Sequence, residues 1–215
     1  AALAQGADIA IKDDGFQNPS MQHHFNLVVI DGASGIGNGY LLPSGPLRQP
    51  LAIGLDKADA LLILGPPSHA SLGPLMAQCK LQNVAIFYGR IVGHKPNLPK
   101  DQEVFAYCGI AKPEKFLSSL QACGVGLVGH RAFGDHHVFT ESEANDLLQK
   151  GATLITTQKD MARLSGAPIG SKLLALAEQS QVLKIDIEIE QADELTRFLD
   201  ETVKARQTNQ TYKSY

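Results

Sequence analysis

The chain is poor in cysteine, and none of its thiols is paired in sequence. Cys79, Cys108 and Cys123 are odd in number, form no C-x-x-C spacing and sit in apolar segments. That pattern excludes a disulfide framework and a zinc site, and points to reduced thiols in a cytosolic protein. Long apolar runs are missing too. The densest, residues 58–64, is interrupted by Asp59 and falls far short of the roughly 18 residues that span a bilayer. Nor is there a basic excess: the formal charge of −3 leaves no electrostatic footprint for nucleic acid, which is not expected as a partner. Not one Gly-Lys dipeptide occurs, so these 215 residues hold no phosphate-cradling G-x-x-x-x-G-K-[ST] loop. The chain opens Ala1-Ala2-Leu3 without an initiator Met or a signal-peptide pattern, and reads as a beginning cut from something longer.

What is present is a globular composition: 44% hydrophobic, 19% charged, mean hydropathy −0.07. This excludes disorder and fibrous architecture, and the length allows one large core or two smaller ones. Residues 7–12 read as a buried strand ending in the acidic turn Asp13-Asp14-Gly15. Residues 27–31 and 59–64 read as two further strands. Their non-alternating apolar character predicts a parallel sheet buried on both faces. Between the last two lie nineteen residues, 32–50, with five Gly and three Pro. Such a stretch is too long for a connecting turn and predicts a functional loop. Further on, residues 84–92 predict one or two strands, and 104–110 another. Pro113 sits at the first position of a helix that Gly124 stops. Thr140 and Glu143 form a capping box for a helix ending at Lys150-Gly151, followed by a strand over 152–157. The alternation over 182–190, with Leu183, Ile185, Ile187 and Ile189 on one side, predicts a single sheet-edge strand. A final amphipathic helix covers about 191–204 in this reading, and 205–215 form a polar frayed tail. The expected ranges are therefore a first α/β domain over 1–83, a linker over 84–100, a second α/β lobe over 101–204 and the tail.

Several constellations could carry chemistry. Asp13 and Asp14 stand at the carboxyl end of an expected strand, where α/β sheets place their ligands, and adjacent carboxylates call for a cation or hydrogen-bond donors. Mg²⁺ on nucleotide phosphates is one such cation; capping of the next turn is the plainer alternative. Gln17 follows as an orienting amide. Gly32-Ala33-Ser34-Gly35-Ile36-Gly37 resembles a dinucleotide-binding turn, but Pro43 and Pro46 forbid the helix that fingerprint requires. Arg48, on the stiff turn Gly45-Pro46-Leu47-Arg48, suits a phosphate through its bidentate guanidinium; an exposed loop arginine is the alternative. Asp135-His136-His137 can supply an acid–base pair, or a surface histidine pair before a helix. His23-His24 has no acidic neighbour in sequence and carries no assignment. The segment from Thr156 to Asp160 is either an anion site or a helix N-cap.

Taken in order and spacing, ADIAIKDDGFQNPS, VVIDGASGIGNGYLLPSGPLRQP, AYCGIAKPEKF, FGDHHVFT and LITTQKD resemble the tetraacyldisaccharide 4′-kinase (lipid A 4′-kinase) family. The resemblance implies a P-loop-kinase-like α/β fold of two lobes, incomplete here at the N-terminus. It also implies transfer of the ATP γ-phosphoryl, with Mg²⁺, to the 4′-hydroxyl of a lipid A disaccharide 1-phosphate. The implied place is the cytoplasmic face of the inner membrane of Gram-negative bacteria. On this resemblance Asp13 and Asp14 belong to the Walker B motif and serve Mg²⁺. His136, with an Asp from the N-terminal part, activates the attacking hydroxyl, and Arg48 sits near a substrate or nucleotide phosphate. The family's P-loop, membrane-associating helix and dyad Asp precede the point where this chain starts, so the chain alone is expected to be inactive. Tyr40, Gln49, Gly134 and Gln158 depart from the family's usual Arg, Glu, Pro and Glu. The alternative reading is a metal-dependent phosphoesterase using Asp13, Asp14 and the Asp135-His136-His137 cluster, with Asp31 as a further ligand.

Overall fold

The computed structural model describes residues 6, 9–18, 20, 23–98 and 102–212, the side chains as far as residue 208. The chain divides into two compact units, one of Ala1–Arg90 with Glu188–Tyr215 and the other of Ile91–Ile187. This differs from the expected ranges. The C-terminal helix belongs with the first unit, not the second, and residues 84–100 are no linker because most of them form a strand.

In the first unit, β1 (Leu27–Asp31), β2 (Ala60–Leu64) and β3 (Ala85–Gly93) pair in parallel. Two helices, α1 (Leu51–Lys57) and α2 (Leu72–Leu81), lie between them in sequence. Period-two geometry splits β2 between two cores. Leu61 and Ile63 pack with Leu55, Leu72, Leu75 and Cys79 of the two helices. Ala60 and Leu62 pack with Phe87 of β3 and with Leu195 and Phe198 of the last helix.

In the second unit, β4 (Val104–Cys108), β5 (Leu127–Ala132), β6 (Thr153–Thr157) and β7 (Ser180–Leu183) form a parallel sheet of order β5-β4-β6-β7. The same alternation operates. Val104, Ala106 and Cys108 face Phe116 and Leu120 of α3 (Pro113–Ala122), while Tyr107 faces Leu147 of α4 (Glu141–Leu148), Leu164 of α5 (Gln158–Leu164) and Leu176 of α6 (Lys172–Gln179). Helices thus cover both faces, as parallel strands without a polar face require. Pro113 opens α3, Gly124 stops it with φ +73°, and the predicted capping box is formed.

Three further expectations fail. Residues 9–12 are not a strand: Ile9 and Ile11 are 77% and 95% exposed, and apolar residues that pair with no strand and cover no core gain nothing from extension. Residues 7 and 8 lie outside the described residues. The stretch 182–190 is two strands, not one. β7 closes the second sheet, and β8 (Ile185–Ile189) joins the first beside β3, with the break at Lys184. The cross-strand contacts of β8 run in the opposite sense, Glu190 N–H donating to Tyr88 O and Arg90 to Glu188. The tail continues α7 (Ala192–Tyr212), because Arg206 is anchored by Asp59, Nη1 to Oδ2 at 2.9 Å, and by the carbonyl of His24; residues 213–215 lie outside the described residues.

Candidate functional site

In the first unit the loop that leaves the carboxyl end of β1 brings Arg48 to the Asp13-Asp14 turn. Asp31 closes the strand by accepting from Ala33 N–H and Ser34 Oγ. Gly32 then passes so close to the next strand's exit that a Cβ there would lie 2.4 Å from the carbonyl oxygen of Pro66, so only glycine fits. No helix follows; the chain turns repeatedly through Gly39, as expected from Pro43 and Pro46. The loop is nevertheless stiff. Leu42 N–H donates to Leu47 O, Leu47 N–H to Tyr40 O, and the Asn38 amide to Ser44 O. This brace carries Arg48 to the acidic turn, where its Nη1 meets Asp14.

Asp13 and Asp14 occupy that exposed turn, and Asp14 holds φ +48°. Phe16 packs against the core of the first unit and anchors the turn. Gln17 is exposed. Among the described residues no group of three or more His, Cys, Asp or Glu converges as a metal site. The described residues thus give the phosphoesterase alternative no support.

In the second unit the strand order places a switch point between β4 and β6, since the chain moves from β4 to one neighbour and returns to the other. Ligand sites of doubly wound sheets lie at such carboxyl-end crevices. Gly109, leaving β4, donates its N–H to Asp160 Oδ2 at 3.0 Å. Asp160 is fully buried and also accepts from Thr157 Oγ1 at 2.7 Å. A Cβ on Gly109 would come within 3.1 Å of His137 Cβ and 3.2 Å of Asp160 Oδ1, so the approach is tight. Arg163, one turn along α5, donates through Nη1 to Asp160 Oδ1 at 2.9 Å and to Gly109 O at 3.0 Å. Its Nη2 lies 3.1 Å from Nδ1 of His136.

The two histidines of the predicted cluster do different work. His137 stacks on Phe133 and lies 3.0 Å from Glu143, the capping-box carboxylate. That hydrogen bond, with those from Thr140 and against the opposing effect of burial, holds the Glu143 carboxyl down to about 2. His136 is exposed and adopts φ +56°. A non-glycine residue there costs about 1–3 kcal/mol and is concentrated at functional sites. Asp135 does not clamp the ring: its Oδ1 accepts from the His136 backbone N–H, and its Oδ2 is 3.9 Å from Nε2. Thr157 resolves the segment 156–160 as an N-cap, its hydroxyl accepting from Asp160 N–H. The importance of Asp160, Arg163 and Gly109 was not apparent in sequence, although the i,i+3 spacing of Asp160 and Arg163 just after a strand was the available signal. Gln158 turns to the β8 backbone, accepting from Ile185 N–H.

Burial raises the thiols of Cys79 and Cys108, the latter to about 11, so both are inert core residues, as expected. No helix among the described residues is long and apolar enough to cross a membrane.

Two largely parallel sheets sheathed by helices define an α/β protein. The fold matches that of the "apo" form of LpxK from Aquifex aeolicus, solved in complex with ATP: TM-score 0.59 at 21% identity, over 88% of this chain and 56% of that one. Residues 1–204 match the family model described as Tetraacyldisaccharide-1-P 4′-kinase, and the chain belongs to that family. The tetraacyldisaccharide 4′-kinase of Rhodopseudomonas palustris strain BisB5 is 37% identical over 98% of this chain and 62% of its own length. That of Parvibaculum lavamentivorans is 39% identical over 94% and 60%. The chain thus spans about three-fifths of the length of the curated relatives it matches.

Proposed function

We propose that this chain takes part in transferring the γ-phosphoryl group of ATP to the 4′-hydroxyl of a tetraacyldisaccharide 1-phosphate, a step of lipid A synthesis. The observation that carries the reading is the family match over residues 1–204. Phosphoryl transfer needs little covalent chemistry from the protein; positioning and charge neutralisation supply most of the acceleration. In the first unit, Asp13 and Asp14 fit Mg²⁺, which takes one or two carboxylates and fills its remaining positions with water and substrate phosphates. A site with fewer than three protein ligands is consistent with that habit. Bound there, Mg²⁺ would neutralise charge on the transferring phosphates. Gln17 would orient water or a phosphate oxygen, and Arg48, held by its stiff loop, would release Asp14 and grip a phosphate bidentately.

In the second unit, His136 with Asp135 beside it would serve the attacking hydroxyl. An acylated acceptor supports a reaction at a membrane, in this reading the cytoplasmic face of the bacterial inner membrane with the protein peripheral to it. The test is direct. Protein containing this chain, given ATP labelled in the γ position, Mg²⁺ and tetraacyldisaccharide 1-phosphate, is expected to form labelled lipid. Absence of transfer under conditions where ATP is bound would overturn the reading.

A further inference from the structure

An arginine guanidinium carries donors only and accepts no hydrogen bond. The contact of 3.1 Å between Arg163 Nη2 and His136 Nδ1 therefore requires a lone pair on Nδ1, and the neutral imidazole carries its proton on Nε2. Arg163 is not free to choose another geometry. Its Nη1 is fixed by the fully buried Asp160 at 2.9 Å and by Gly109 O at 3.0 Å, and Asp160 is itself held by Gly109 N–H and Thr157 Oγ1. Among the described residues the groups facing His136 are few. Arg163 stands on the Nδ1 side, Asp135 stands 3.9 Å from Nε2, and the neighbouring His137 is directed to Glu143.

We propose that Arg163 is a positioning residue for His136. Braced by Asp160, it fixes the imidazole in one tautomer, Nδ1 turned inward and Nε2–H turned outward to the reacting groups. The inference rests on the reading of His136 as a participant in phosphoryl transfer. It adds that the imidazole faces the reacting groups as an Nε2–H hydrogen-bond donor, so in this tautomer it orients the attacking hydroxyl and takes no proton from it. Which ring nitrogen of a histidine bears the proton is set by the hydrogen bond that the other makes.

The experiment uses the chain with ¹⁵N-labelled histidine, in which two-bond ¹H–¹⁵N correlations report which ring nitrogen bears the proton; His136→Ala assigns the signal. His136 in the unsubstituted chain is expected wholly as the Nε2–H form. Arg163→Lys, and Arg163→Gln should the lysine variant not fold, are expected to show both tautomers in exchange with the remaining spectrum unchanged. In the phosphoryl-transfer assay the same variants are expected to lose at least about tenfold in kcat, with KM for ATP changed less than twofold. An Nδ1–H ring in the unsubstituted chain, or an unaltered tautomer in both folded variants while His136→Ala is inactive, overturns the positioning role alone. A shifted tautomer with full turnover in the Arg163 variants and in His136→Ala overturns the reading of His136 itself. Disruption of the whole spectrum by both variants assigns Arg163 to the fold and also overturns the proposal.

Discussion

Arg48 Nη1 lies 3.4 Å from both carboxylate oxygens of Asp14, a residue 34 positions earlier in the chain. The side chains are 59% and 77% exposed, and an exposed pair contributes only about 0–1 kcal/mol. Its value is in placement rather than stability. Arg48→Ala is expected to leave the melting temperature within about 2 °C. In the proposed reaction it should lower kcat/KM by about 10–100-fold, the equivalent of one charged hydrogen bond of about 1.5–3 kcal/mol. Thermal melts and steady-state kinetics check the two halves; an unstable but fully active variant would contradict both.

His136→Ala removes a side chain that covers no core. Turnover is expected to fall by about 10²–10⁴-fold, with ATP affinity by calorimetry unchanged. Equal losses in both quantities would mean that the residue serves binding rather than the chemical step.

The capping box makes a prediction about stability alone. Thr140 Oγ1 accepts from Glu143 N–H, and Glu143 Oε2 accepts from Thr140 N–H. Thr140→Ala is expected to cost about 1 kcal/mol, read as a lowered urea midpoint at unchanged slope.

Glu143 adds a pH dependence. Its folded carboxyl is held to about 2, below the ordinary value of 4.5. A depressed folded value means that the contribution is fully present above pH 4.5 and disappears as pH falls through 2. Urea unfolding between those limits should therefore weaken less steeply for Glu143→Gln than for the unsubstituted chain, and parallel curves would refute the assignment.

Arg206 is expected to be more than part of a frayed end. Replacing it with alanine strips the half-buried Asp59 carboxylate of its guanidinium partner, leaving Asn26 N–H as a remaining donor. A loss of about 1–3 kcal/mol is expected, with α7 exchanging its amide hydrogens faster. Unchanged protection beyond Glu201 would show that the helix end is held by other contacts.

Much of the fold was legible because local rules were sufficient there. The strand Leu27–Asp31, the Pro113 start and Gly124 stop of α3, and the box of Thr140 and Glu143 all declare themselves within a few residues. The failures share a cause. Whether 9–12 extend, whether 182–190 serve one sheet or two, and whether 205–212 remain helical are each decided by partners distant in sequence, such as Asp59 for Arg206. The sites divide similarly. Asp13, Asp14, Arg48, Asp135 and His136 stand in recognisable motifs. Asp160 and Arg163 acquire meaning only when β4 and β6 become neighbours and bring Gly109 to them.

The second unit is an insertion. The first unit is interrupted after Arg90 and resumes at Glu188, and one of its two cores needs Leu195 and Phe198 to cover Leu62 and Phe87. During synthesis the ribosome therefore delivers the contiguous stretch 91–187 before it delivers α7. Until α7 has emerged, Leu62 and Phe87 lack the cover of Leu195 and Phe198, and transiently exposed apolar surface of that kind is prone to aggregate.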